Sequence, residues 1–146
     1  MDRVMFRVNL NDWLEGTIIK VKNNECWNTA WLETYKELGG QSVESGKKSC
    51  PKNAARILYQ SGRLKGHNKP YKNVSFKDVK ANDSVNGVYA LMAIEQLKQN
   101  DSIELSSLVK SVHENFKKQF GTAPNTDQGA IKLTFKLWHL NKIFQK

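Results

Sequence analysis

The stretch Val85-Asn86-Gly87-Val88-Tyr89-Ala90-Leu91-Met92-Ala93-Ile94-Glu95-Gln96-Leu97-Lys98 decides the fold. Its apolar side chains wrap most of a helical circumference, the pattern of a helix buried on nearly every side. Such a helix has to be enclosed, and the flanking segments carry amphipathic helices that could enclose it. Leu10, Trp13, Leu14, Thr17, Ile18 and Val21 share one face of a helix expected from about Asn11 to Lys22, capped by Asn9 or Asn11. Trp27, Ala30, Trp31, Thr34, Tyr35 and Leu38 repeat that spacing, and Gly39-Gly40 stops the second helix. A third helix is expected around Pro51, which suits a first turn, and buries Ala54, Ile57, Leu58 and Ser61 before Gly62. Beyond the central helix, Leu105, Leu108, Val109, Val112, Phe116 and Phe120 define a fifth that ends at Gly121. A sixth is expected beyond Pro124, capped by Asn125 or Thr126, with Ala130, Leu133, Leu137, Trp138 and Ile143 inside.

The fold class is therefore all-α, with about six helices. Val4, Phe6, Val8 and Leu10 alternate with Met5, Arg7 and Asn9 in a strand-like period, but the helical spacing that follows outweighs it. Gln41 to Lys48 reads as a polar loop, and Arg63 to Asn82 as a long irregular connection suited to a mobile arm or short hairpin. An offset of 76 residues aligns Ala54 with Ala130, Ile57 with Leu133, Tyr59 with Phe135 and Leu64 with Leu140. The same offset aligns Ile18 and Val21 with Ile94 and Leu97. The expected architecture is a bundle of two similar three-helix halves, about 1–70 and 77–146, joined by a long basic connection.

The chain has 146 residues, 39% of them hydrophobic and 25% charged, which suits a single domain with a packed core. No run reaches the roughly 20 apolar residues of a membrane helix, and the first residues lack the layout of a secretory signal, so a cytoplasmic protein without membrane contact is expected. Cys26 and Cys50 belong to no C-x-x-C pair, and no zinc site or disulfide framework is signalled.

The net charge of +9 is local. Ser45 to Lys77 contains no Asp or Glu, while Lys47, Lys48, Lys52, Arg56, Arg63, Lys65, Lys69, Lys72 and Lys77 lie within it. The remaining 14 basic residues balance the 14 acidic ones. Asn53, His67, Asn68, Tyr71 and Phe76 are interleaved with these cations. Cations neutralise phosphates and exposed rings stack on unpaired bases, so this mixture suits a nucleic acid; an acidic protein is the other admissible partner. The second and third helices with the following arm also resemble a winged helix-turn-helix. In that reading Lys52, Asn53 and Arg56 open the recognition helix, although about ten residues separate the helices where the motif uses three or four.

Cys50, at a helix start beside Lys47, Lys48 and Lys52, has the surroundings that lower a thiol pKa and is a candidate reactive thiol, with a capping or packing role as the plainer reading. His67, His113 and His139 lack ligands at helical spacing, and phosphate-cradling glycine motifs are absent. No catalytic residue, metal or cofactor is therefore assigned. The expected function is a non-enzymatic binding or regulatory module that works through residues 45–77. A small-ligand protein or enzyme using Cys50 or an interhelical pocket, and a self-associating protein, are the alternatives. The sequence sets no oligomeric state.

Ser49-Cys50-Pro51-Lys52-Asn53-Ala54, with Leu58, Gly62 and Leu64-Lys65-Gly66 after it, resembles a family of small uncharacterised bacterial proteins. In that family the run opens a helix between a Trp-containing helix and an Ala- and Leu-rich one. The resemblance covers about Asn24 to Ile143 and implies an all-helical protein, with no catalytic residue to transfer. Trp13 and Gly16 depart from the family's alanine-rich first helix. Small proteins of this kind also resemble the products of mobile gene cassettes such as those of integrons.

Overall fold

The computed structural model describes residues 3–82, 84–121 and 129–145. The chain is predominantly helical, with eight helices and one two-stranded sheet among these residues. The sheet is a hairpin of β1 (Val4–Met5) and β2 (Val8–Asn9), and it leads directly into α1 (Leu10–Lys22). The Asn9 side chain accepts from the Asp12 amide and so caps α1, which starts one residue earlier than expected. The hairpin corrects the reading of 4–10, whose alternation was genuine. Its turn residues Phe6 and Arg7 both have positive φ, 52° and 69°, without the Asn-Gly or Asp-Gly pair that announces such a turn.

α2 (Trp27–Glu37) lies against α1, and an aromatic ladder runs from their interface along α2 to Tyr59 of the following long helix. Ring centroids lie 4.8 Å apart for Tyr35 and Trp13, 4.2 Å for Trp13 and Trp31, 6.1 Å for Trp31 and Trp27, and 5.8 Å for Trp27 and Tyr59. Each such pair adds about 0.5–1.5 kcal/mol beyond simple burial. The indoles are also tied to backbone: Trp13 Nε1 donates to the Trp31 carbonyl and Trp27 Nε1 to that of Lys52.

The expected loop 41–48 holds a short helix, α3 (Val43–Lys47), which Ser42 caps by accepting from the Ser45 amide. One turn is too short to leave a periodicity, and its polar composition hid it. α4 (Ser49–Gln60) follows with Pro51 in its first turn. The expected connection 63–82 contains α5 (Phe76–Asn82), a second short helix whose seven residues carry too little of a period.

α6 (Val85–Gln99) is the central helix that its sequence demanded. Gly87 to Ile94 and Leu97 are all buried, and α4, α5, α7 (Leu105–Phe120) and α8 (Gly129–His139) pack around it. α7 ends at Gly121 as expected; the start expected for the last helix, around 124–126, lies outside the described residues. Ile143 is fully buried, but in an extended segment beyond α8. Among the described residues no helix is long and apolar enough to cross a membrane.

The layout differs from two equivalent triads. α6 packs on both α7 and α8, whereas α1 leans on α2 and makes no comparable contact with α4. What does repeat is how α4 and α8 end. After α4, Gly62 at φ +75° is followed by Arg63, whose amide donates to the Leu58 carbonyl. After α8, Asn141 at φ +62° is followed by Lys142, whose amide donates to Leu137. Both are Schellman-type ends. They pair Leu64 with Ile143, an offset of 79 where the sequence alignment used 76, and those two residues form an antiparallel bridge.

Candidate anion-binding surface

The segment 61–77 is folded back onto α4. Gly62 makes this possible, because a Cβ there would lie 2.5 Å from the Pro70 carbonyl oxygen, and its φ of +75° is one that L side chains rarely adopt. The Lys72 amide donates to the Ser61 carbonyl at 3.0 Å, the Lys65 amide to Lys142 at 2.8 Å, and the Phe144 amide to Arg63 at 3.0 Å. His67 Nε2 lies 3.1 Å from the Glu15 carboxylate of α1, which also meets Lys142 Nζ at 3.6 Å. No sequence signal links positions 15 and 67. Their pairing is a product of the tertiary fold.

Two of the predicted site residues in this arm are therefore spent on internal structure. His67 is the clamp to α1, and Lys65 Nζ donates to Asn141 Oδ1 at 2.6 Å. The others divide into groups. Lys47 and Lys52 line a groove with Asn28, Thr29, Leu32 and Gly46 on α2 and α3. Lys48 sits over the Phe6 ring of the hairpin, 5.8 Å from its centroid. Asn53 and Arg56 are half-buried along α4, and α3 fills the space in which a helix-turn-helix would have a tight turn.

Arg63, Lys69, Tyr71 and Lys77 gather elsewhere. Arg63, Lys69 and Tyr71 line one cleft with Lys98 and Phe144; Arg63, Tyr71 and Lys77 line another with residues of α6 and α7. Lys69 Nζ lies over the Tyr59 ring at 5.2 Å, and the Arg63 guanidinium lies 4.5 Å from the Tyr71 ring. Tyr71 remains 56% exposed, so its opposite face is open. Lys72 and Lys77 are exposed. Among the described residues, no carboxylate forms an ion pair with Lys47, Lys52, Arg63, Lys65, Lys69, Lys72 or Lys77.

Cys50 opens α4 but is only 8% exposed, which limits attack on its sulfur. Cys26 is the exposed thiol. Its pKa lies below the ordinary value, first because the Thr29 hydroxyl, 3.0 Å away, can donate to the thiolate, and then because backbone amides at the start of α2 do the same. Among the described residues no group of three or more His, Cys, Asp or Glu is placed to hold a metal.

No curated protein and no solved structure matches the chain. A family model, described as a family of unknown function (DUF6979), matches residues 15–143, a span that begins within α1, after Trp13, and takes in α2, the basic arm and the α6 core. The chain belongs to that family.

Proposed function

We propose that the protein is a non-enzymatic binding module that holds a single-stranded stretch of nucleic acid against the arm 61–77. One observation carries this reading: within an acid-free run of cations, Lys69, Lys72 and Lys77 form no ion pair with a carboxylate among the described residues, and the half-open ring of Tyr71 lies among them. A folded protein normally disperses or pairs such charge, and a phosphate backbone would compensate it. Lys69, Lys72 and Lys77 are the phosphate contacts. Tyr71, held flat by Arg63 on one side, offers its free face to a base.

Fluorescence anisotropy of a labelled single-stranded oligonucleotide tests this. Three or four phosphate contacts predict that affinity falls roughly 20- to 50-fold between 50 and 200 mM salt. The triple variant Lys69→Glu, Lys72→Glu, Lys77→Glu loses binding, and Tyr71→Ala weakens it about tenfold, as expected for one stacked base. Absence of salt-sensitive binding by the wild type at low ionic strength sinks the reading, as does retention only by an acidic polypeptide.

A further inference from the structure

Arg63 is the one arm cation with a second peculiarity. It is only 6% exposed, and its Nε is fully buried without a hydrogen-bond partner among the described residues. The guanidinium has one long bond, from Nη2 to the Lys72 carbonyl at 3.4 Å, and the Tyr71 ring on its face. A buried guanidinium with an idle N–H is costly unless something accepts from it. Its backbone is fixed on both sides by bonds to Leu58 and Phe144, so it is held where it stands.

Arg63 borders a cleft of about 530 Å³ between the arm, α5, α6 and α7. Its lining combines apolar Val74, Phe76 and Leu91 with polar Ser75, Lys77 and Gln119. The Ser75 hydroxyl accepts from the Asp78 amide, which leaves its own O–H to donate. Glu95 also lines the cleft, but it pairs with Lys98 at 3.6 Å and does not reach Arg63 within ion-pair distance. The volume suits a small molecule, and the donor set suits an anion.

We infer that this cleft binds a small organic anion, its oxyanion head on Arg63 and Lys77 and its compact apolar body against Val74, Phe76 and Leu91. A carboxylate and a phosphate monoester share this head-group chemistry. The site shares Lys77 with the nucleic-acid reading, but its buried donor is Arg63 and it does not use Lys69 or Lys72, so variants at those two lysines tell the two apart.

The test is ¹⁵N NMR of the full chain titrated with benzoate, phenyl phosphate or uncharged benzyl alcohol, following the Arg63 Nε–H and Leu91 amide signals. Either anion at up to about 10 mM, enough to saturate a site tighter than ~1 mM, shifts both signals saturably, and benzyl alcohol does not. Which anion acts identifies the head group. Arg63→Gln weakens binding by about tenfold or more, and Glu95→Gln strengthens it by removing a like charge. Lys69→Glu with Lys72→Glu leaves it intact, which separates this site from oligonucleotide binding. The wild-type titration stands even where Arg63→Gln does not fold. The inference is overturned by unmoved Arg63 and Leu91 signals with both anions, by an equal response to benzyl alcohol, or by a Glu95→Gln variant that is destabilised without binding, which would show that Glu95 satisfies Arg63 in solution.

Discussion

Cys26 lies exposed beside the Thr29 hydroxyl, while Cys50 is packed at the start of α4. Lysines close in sequence pointed to Cys50 as the thiol of interest, because burial is not visible in a one-dimensional charge pattern. Solvent access and a hydrogen-bonded thiolate both favour Cys26. A depressed pKa extends thiolate reactivity to lower pH, so iodoacetamide labelling of Cys26, read by mass spectrometry, has a midpoint below that of free cysteine. At neutral pH Cys26 reacts on the order of tenfold or more faster than Cys50, and unfolding the protein brings the two rates together. Thr29→Val moves the Cys26 midpoint upward. Equal native rates would show Cys50 to be open and return the reactive-thiol reading to it. Arg63 repeats the lesson: the sequence marked it as one cation among nine, and its burial and idle Nε set it apart.

Among the elements, the long amphipathic helices were legible because ten or more residues of one period outvote local exceptions. The short ones, α3 and α5, were not, since five or seven residues carry too little of a period to outvote a polar composition. Gly16 shows how a helix contact reaches into the sequence. It sits on α1 where α2 crosses, and a Cβ there would come 2.6 Å from Thr34 Cγ2. Thr34 cannot easily yield, because its hydroxyl donates to the Ala30 carbonyl and accepts from Lys20 Nζ. Lys20 in turn meets Glu37 at 2.6 Å, which pins the same crossing. Gly16→Ala therefore overpacks the α1–α2 interface by about 1–3 kcal/mol, despite alanine's better helix propensity. Thr34→Ser removes the clashing methyl and keeps the hydroxyl. The double variant should recover most of the loss in a urea melt, and a purely additive cycle would show that the crossing is not tight.

At the scale of the whole molecule, the two units that share the core, the α1–α2 pair and the group around α6, are tied together by the chain between and after them. The sequence read residues 63–82 as an irregular arm and carried the last helix through Ile143. In the fold, Leu64 and Ile143 meet in an antiparallel bridge where α4 and α8 end alike, and Ile143 is fully buried beneath it. Such a long-range pair leaves no periodic trace, which is why the apolar residue was legible and its partner was not. The bridge predicts uneven amide exchange along the arm. The Lys65, Lys72 and Phe144 amides, bonded to Lys142, Ser61 and Arg63, exchange slowly, and those of Asn68 and Lys69 exchange fast. Ile143→Ala should cost about 2–4 kcal/mol in a denaturant melt, the range for an aliphatic side chain lost from a core. It should also accelerate Lys65 more than any α6 amide, because the bridge opens before the central helix does. Uniformly fast exchange across 61–77 in the wild type would mean that the arm is not held by the C-terminal segment. The cleft at Arg63 would then lose the fixed backbone on which its anion site depends.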